Sequence, residues 1–304
     1  MRRRPPRLRT GDTVALVSPS GPVEQVAMQA GQALLESWGL TVRVGAHALD
    51  RDGYLAGTDA DRADDLQSAW CDPRVAAVFC ARGGYGAHRM VDLVEWPALR
   101  RAGPCLLVGS SDVTALHEAV ARHLDLVTVF GPMPATEILA GADPDTASAE
   151  HLRATVLDAV AAELHINADA PDALAPGRAT GPLVGGNLSL LAASIGTPES
   201  LPAAGAIAVL EDVTESAYRV DRLLTQLLRT GWFDGVRGVA LGSWLDCGDD
   251  AVAVVGERLA GLGVPVLAGL PFGHGRPQLS LPLGADAELD ADAGTLVVTG
   301  PPLA

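Results

Sequence analysis

The chain contains no lysine: all 22 of its basic residues are arginine. That absence excludes Schiff-base chemistry on a lysine and a Walker-type phosphate loop, since each requires the lysine amine. There are only four cysteines, Cys71, Cys80, Cys105 and Cys247. They lie far apart beside apolar segments, without the paired spacing of a zinc site or a disulfide framework, and read as buried thiols. No stretch approaches the roughly 20 consecutive apolar residues of a membrane span. The arginine-rich start is followed by the apolar run Val14 to Val17, too short for a signal-peptide core, so a cytoplasmic protein is expected. The 37 acidic residues form no long run, and no internal repeat is evident. A formal net charge of -15 argues against nucleic acid or an anionic membrane as partner.

What is present is a core-forming composition, with 48% hydrophobic and 19% charged residues over 304 positions, enough for two domains. In the first half, apolar runs near Thr13, Thr41, Val75, Cys105 and Leu126 read as strands. They alternate with helical spacing over Val23 to Trp38, Asp59 to Trp70, Ala87 to Leu93 and the segment opened by Asp112. Such alternation predicts a parallel sheet covered on both faces, with ligands bound beyond the carboxyl ends of the strands. Those ends are Ser18-Pro-Ser20, Arg82-Gly-Gly-Tyr-Gly86 and Gly109-Ser-Ser111. A helix is expected over Asp143 to Leu164 and a linker over 167–180, followed by a Gly-rich entry into a helix. Strands follow at Ala206, Val239 and Val264, helices at Tyr218 and Asp249, and antiparallel strands over Leu279 to Val298. The expected division is 1–166, a linker over 167–180, and 181–304. The fold class is α/β: a Rossmann-like parallel-sheet N-terminal domain and a smaller mixed α/β C-terminal domain with antiparallel strands.

The stretch Pro104 to His117 reads as strand, tight turn, helix, and a hydroxyl held at such a turn faces the positive end of the helix, as a serine nucleophile requires. An ordinary helix cap explains the same residues, because Ser and Asp are favoured there. A nucleophile needs a base and a carboxylate to orient it. Of seven histidines, His117, His123 and His151 lie on expected helices as surface or boundary residues, and His47, His88 and His165 have no recognisable setting. His274 stands between Gly273 and Gly275, which free the backbone to place its ring in a cleft, although a simple turn residue fits as well. Glu211 ends an apolar strand, with Asp212 beside it as a competing choice. The Gly amides after Arg82 can point at a developing oxyanion together with the amide of Asp112, and Arg82 itself fits either a substrate carboxylate or a structural ion pair. No His, Asp and Glu cluster shows metal-ligand spacing, so neither metal nor cofactor is expected.

Taken together, Ser18-Pro-Ser20, Arg82-Gly-Gly-Tyr-Gly86, Gly109-Ser-Ser-Asp-Val-Thr-Ala-Leu116, Gly185-Gly-Asn-Leu188, Leu210-Glu-Asp-Val213 with Tyr218-Arg219, and Gly273-His-Gly275 resemble the LD-carboxypeptidases. This serine peptidase family includes the murein tetrapeptide carboxypeptidases and the microcin C immunity peptidases. The resemblance implies Ser111 as nucleophile, Glu211 as acid and His274 as base, with Asp112 and Gly83 or Gly84 as oxyanion donors. Arg82, Ser110 and Asn187 are the candidate substrate-binding residues. It further implies a murein peptide substrate, release of terminal D-alanine in cytoplasmic peptidoglycan recycling, and a homodimer. One departure stands out: Ser110 occupies a position that is often aromatic in the family. Alternatives are an immunity-type peptidase acting on aminoacyl nucleotide analogues, and a peptide-binding protein without catalysis. The absence of Trp, Tyr and Phe between Gly131 and Gly181 favours the murein reading.

Overall fold

Short, almost fully apolar strands need cover on both faces, and the first half of the chain supplies it. Strands β1 (Thr13–Val17), β2 (Thr41–Val44), β3 (Val75–Cys80), β4 (Leu106–Gly109) and β5 (Thr128–Phe130) pair in parallel in the order β2-β1-β3-β4-β5. Helices α1 (Gln25–Ser37), α2 (Asp59–Cys71), α3 (Ala87–Met90), α4 (Trp96–Ala102), α5 (Thr114–Leu124), α6 (Glu137–Ala140) and α7 (Thr146–Leu157) pack around this sheet. The two cores contain, for example, Trp70, Leu107 and Leu116 on one side and Leu16, Phe79 and Val129 on the other. Helix α2 starts where its sequence dictates: Thr58 accepts the Asp61 amide, and Asp59 and Asp61 face the positive helix end. The computed structural model describes residues 2–158, 164–167 and 172–304.

The second sheet is mixed. Strands β6 (Leu164–Asn167), β7 (Asp172–Ala175), β8 (Arg178–Asn187), β9 (Ile207–Val213), β10 (Gly238–Leu245), β11 (Val266–Ala268), β13 (Asp286–Asp290) and β14 (Thr295–Val298) run in the order β6-β14-β13-β8-β9-β10-β11-β7. The centre, β8-β9-β10-β11, is parallel and the flanks are antiparallel. Helices α8 (Leu188–Ser194), α9 (Ala217–Arg229) and α10 (Ala251–Leu259) cover it with a core that includes Leu210, Leu224 and Trp232.

Several expectations need correction. The helix expected to reach Leu164 ends at Leu157; 159–163 lie outside the described residues, and Leu164 already belongs to β6 in the second sheet, not to the first domain. Within the expected linker, Asp172–Ala175 is an edge strand on β11, and 168–171 are outside the described residues. The Gly-rich entry is itself the strand β8, because Gly185, at φ 124, lets the chain run directly against the Val209 carbonyl. The remaining strand, β12 (Leu281–Leu283), returns to the first sheet and pairs antiparallel with β5. It takes the sheet edge, the position in which its central Pro282 is tolerated. Cys80, Cys105 and Cys247 are buried as expected, whereas Cys71 is half-buried; all four are free thiols.

Candidate active site

β4 ends at Gly109, and the chain turns sharply through Ser110 and Ser111 into a 3-10 turn, Ser111–Val113, that leads directly into α5. Ser111 has φ 59, a left-handed conformation that a residue with a Cβ adopts at a cost of about 1–3 kcal/mol. A helix cap would relieve no such strain, and neither hydroxyl serves as one. Ser110, at the cap position, makes no capping bond; its Oγ accepts a hydrogen bond from Gln278 Nε2 at 3.1 Å. The Ser111 hydroxyl has no hydrogen-bond partner among the described residues and stands on the wall of a cleft of about 410 Å³.

The base of this turn is secured by a residue expected at the surface. His117 is buried, with Nδ1 2.8 Å from Thr128 Oγ1 and Nε2 2.9 Å from the Gly109 carbonyl. Because the carbonyl can only accept, the proton sits on Nε2 and the Thr128 hydroxyl donates to Nδ1. Burial pushes its pKa down to about 4, which keeps it neutral.

The loop after β3 lies against the hydroxyl. A Cβ on Gly83 would fall 2.8 Å from Ser111 Cβ and 2.9 Å from its Oγ, so only glycine fits. The Gly83 carbonyl accepts the Gly21 amide at 3.1 Å, and in a trans peptide the Gly84 amide then points the opposite way. The buried Asp112 carboxylate accepts the Ala87 amide at 2.8 Å, tying the Ser111 turn to the end of this loop. Arg82 lines the cleft, exposed, and donates to the Pro22 carbonyl at 3.1 Å; no carboxylate pairs with it among the described residues.

From the second domain come Glu211 and His274. The two neighbouring acids at the end of β9 take different partners. Glu211 is fully buried, with Oε2 2.6 Å from His274 Nδ1. Asp212 instead accepts the Ser189 amide and hydroxyl at the start of α8, at 2.9 and 2.7 Å. Gly273, at φ 95, makes the Glu211 contact possible, since a Cβ there would lie 2.7 Å from Glu211 Oε2. Burial disfavours the His274 imidazolium, but the charge and hydrogen bond of Glu211, helped by Asp212, outweigh it and raise the pKa above its ordinary value. His274 and Ser111 line the same cleft.

Of the other expected residues, Ser110 also lines the cleft. Asn187 does not belong to the cleft wall: its buried Nδ2 donates to Glu211 Oε1 at 3.2 Å and to Asp212 Oδ1 at 3.0 Å, so it braces the acid from behind. Gln278, on the cleft wall, was not foreseen; it lies in no motif and reaches Ser110 only through the path of the chain after His274. Among the described residues, one group with ligand-like proximity, His47, Asp50 and Asp61, stands away from this cleft, and its 2.8 Å His47–Asp50 contact is an ion pair on the surface.

A strained serine, glycine amides beside it and a carboxylate-bound histidine in one cleft are the parts needed for acyl transfer through a serine ester. Two family models match the sequence in this order, the LD-carboxypeptidase N-terminal domain over 14–131 and the LD-carboxypeptidase C-terminal domain over 180–289. The chain belongs to the LD-carboxypeptidase family. Its activity is that of a serine-type LD-carboxypeptidase, and the two-domain α/β architecture is the family's. The murein tetrapeptide carboxypeptidase of Pseudomonas aeruginosa is 37% identical over 290 residues, covering 92% of this chain and 93% of its own. The microcin C7 self-immunity protein of Escherichia coli is 26% identical over 329 residues, covering 96% and 94%. The crystal structure of a muramoyltetrapeptide carboxypeptidase from Oxalobacter formigenes superimposes with a TM-score of 0.83 at 29% identity, covering 94% of this chain and 98% of that one.

Proposed function

We propose that this LD-carboxypeptidase releases terminal D-alanine from murein tetrapeptides, with Ser111 as nucleophile, His274 as base and Glu211 as the acid that orients it. The observation that carries this reading is the strained Ser111 standing free in a cleft shared with the Glu211-bound His274. His274 Nε2 takes the Ser111 proton as Oγ attacks the carbonyl carbon of the L-centre. The amides of Asp112 and Gly84 receive the negative charge on the carbonyl oxygen. The C–N bond to D-alanine then breaks, and His274 passes its proton to the departing amine. Water, activated by the same imidazole, hydrolyses the ester and restores the Ser111 hydroxyl. Arg82, with no carboxylate partner among the described residues, is the group we assign to hold the free carboxylate that a carboxypeptidase substrate carries next to the cut bond.

The murein substrate is supported by the 37% identical tetrapeptide carboxypeptidase and by the lack of any aromatic residue between Gly131 and Gly181 for stacking on a nucleobase. We place the reaction in the cytoplasm, in peptidoglycan recycling, and in a homodimer, as the family resemblance implies. No helix among the described residues is long and apolar enough to cross a membrane. The test is incubation with murein tri-, tetra- and pentapeptides and mass spectrometry for released D-alanine. Release from tetrapeptide alone is expected; cleavage of an aminoacyl sulfamoyl adenosine with no action on tetrapeptide would establish the immunity-type reaction instead.

A further inference from the structure

The turn that presents Ser111 is held on both sides by the side chains of its neighbours. Asp112 is tied to the Ala87 amide, and the buried Ser110 is tied to Gln278. The Gln278 bond differs in kind, because Gln278 lies four residues after His274 on the same strap of chain. That strap is pinned at closely spaced points. The Gly275 amide donates to Ser243 Oγ at 2.9 Å, the Gln278 amide to Ser148 Oγ at 2.7 Å, and the Ser280 amide to His151 Nδ1 at 3.1 Å. One anchor is on β10 of the second domain and two are on α7 of the first. The strap that carries the base therefore also carries a donor that grips the nucleophile turn.

The Ser111 side chain contributes nothing to its own placement, since its hydroxyl is unpartnered among the described residues, and its backbone, bonded through its carbonyl to the Thr114 amide, is strained. Ser110, at φ -150, is extended and can relax if released, which would carry Ser111 with it. We propose that Gln278 is a positioning residue: through its bond to Ser110 it sets the placement of Ser111 relative to His274, and so couples the two halves of the proton-transfer pair across the domain boundary. This rests on the assignment of Ser111 and His274 to catalysis. It also gives the unusual Ser110 a purpose, because an aromatic residue there would have no hydroxyl on its Cβ, beside the backbone, for Gln278 to hold.

A double-mutant cycle tests it. Gln278→Met and Ser110→Ala are each expected to lower kcat by about 10- to 100-fold, as small misplacements of reacting groups do, with KM changed by less than about threefold. The double variant should fall no further than the weaker single variant, because both changes break the same bond. Gln278→Glu should recover most of the loss, since the Ser110 hydroxyl can donate to the carboxylate. Rates are taken per active site, titrated with a covalent serine reagent, so that a variant that merely folds poorly loses sites and not kcat. Should Gln278→Met not fold, Ser110→Ala and Gln278→Glu alone carry the comparison. Losses that multiply in the double variant, an unchanged kcat, or a failure of Gln278→Glu to recover activity would overturn the proposal. Ser111→Ala, run alongside and rated per mole of folded protein, separates the two readings: retained turnover there defeats the catalytic assignment, whereas its loss with an additive cycle defeats only the role of Gln278.

Discussion

Glu211 Oε2 lies 2.6 Å from His274 Nδ1, and the carboxylate that makes this contact is wholly buried. The pairing raises the His274 pKa above its ordinary value despite the desolvation of the ring. A general base must be neutral to accept a proton, so kcat/KM should fall as pH drops through a value above about 6.5. Glu211→Gln removes the charge and leaves burial to dominate, which moves this acid limb to lower pH and cuts kcat by about 10³- to 10⁴-fold. A pH–rate profile on both proteins checks this, and an acid limb that does not move removes His274 as the base.

Ser111→Ala should lower turnover by at least about 10³-fold, measured as D-amino acid released per mole of purified, folded protein. Residual activity within about tenfold of the wild type would defeat the assignment.

The φ of 59 at Ser111 makes a second, independent demand. Glycine carries no penalty in this conformation, so Ser111→Gly should be more stable than Ser111→Ala by about 1 kcal/mol, the reverse of the usual order inside structured segments. Urea denaturation of the two inactive variants reads the difference; equal stability would mean that the turn relaxes without its serine.

Gly83→Ala places a methyl group 2.8–2.9 Å from Ser111 Cβ and Oγ. Either the loop or the serine must move, and the oxyanion donors move with it. A loss of about 10²- to 10³-fold in kcat is expected, with KM little altered. Steady-state kinetics that show a KM effect alone would place this glycine outside the reacting centre.

At the contact between the domains, Glu118 is buried and bonded to Ser194, which also meets His88 Nε2 at 2.9 Å. Burial pushes the Glu118 pKa up to about 8, Ser194 opposes this, and Glu199 adds to it. The folded chain therefore holds a proton here that the unfolded chain has released above about pH 4.5, so this group lowers stability as pH rises from that point to about 8. Glu118→Gln should be little different from wild type at pH 4.5 and more stable by about 2–4 kcal/mol at pH 8. Denaturant midpoints at the two values check it, and a difference that does not grow with pH contradicts the burial argument.

The strands and helices of the first sheet were legible because each is a short apolar run or an amphipathic repeat bounded by turn residues. Ser111, Glu211 and His274 stood out because unusual residue types, a serine pair, an acid at a strand end and a histidine between glycines, interrupt that regularity. Other features carried no such mark. His117 has the spacing of a boundary residue, yet its ring is buried under β4, where Thr128 and the Gly109 carbonyl satisfy it. Asn187 sits in a Gly-rich motif that suggested contact with substrate, but β8 brings it behind Glu211. The choice between Glu211 and Asp212 is undecidable in one dimension and is made by partners from distant segments, His274 for Glu211 and the start of α8 for Asp212.

The sequence by itself determined the two α/β halves, the serine chemistry without lysine, and the candidates Ser111, Glu211 and His274, because these depend on local pattern and on which side-chain types are present. Tertiary structure alone decided how the centre is held together. β12 crosses back to the first sheet, the 274–280 strap is pinned to α7, and Gln278 thereby reaches Ser110 from 168 positions away. Contacts at that separation depend on how two sheets dock, a property of the whole fold that no local spacing encodes.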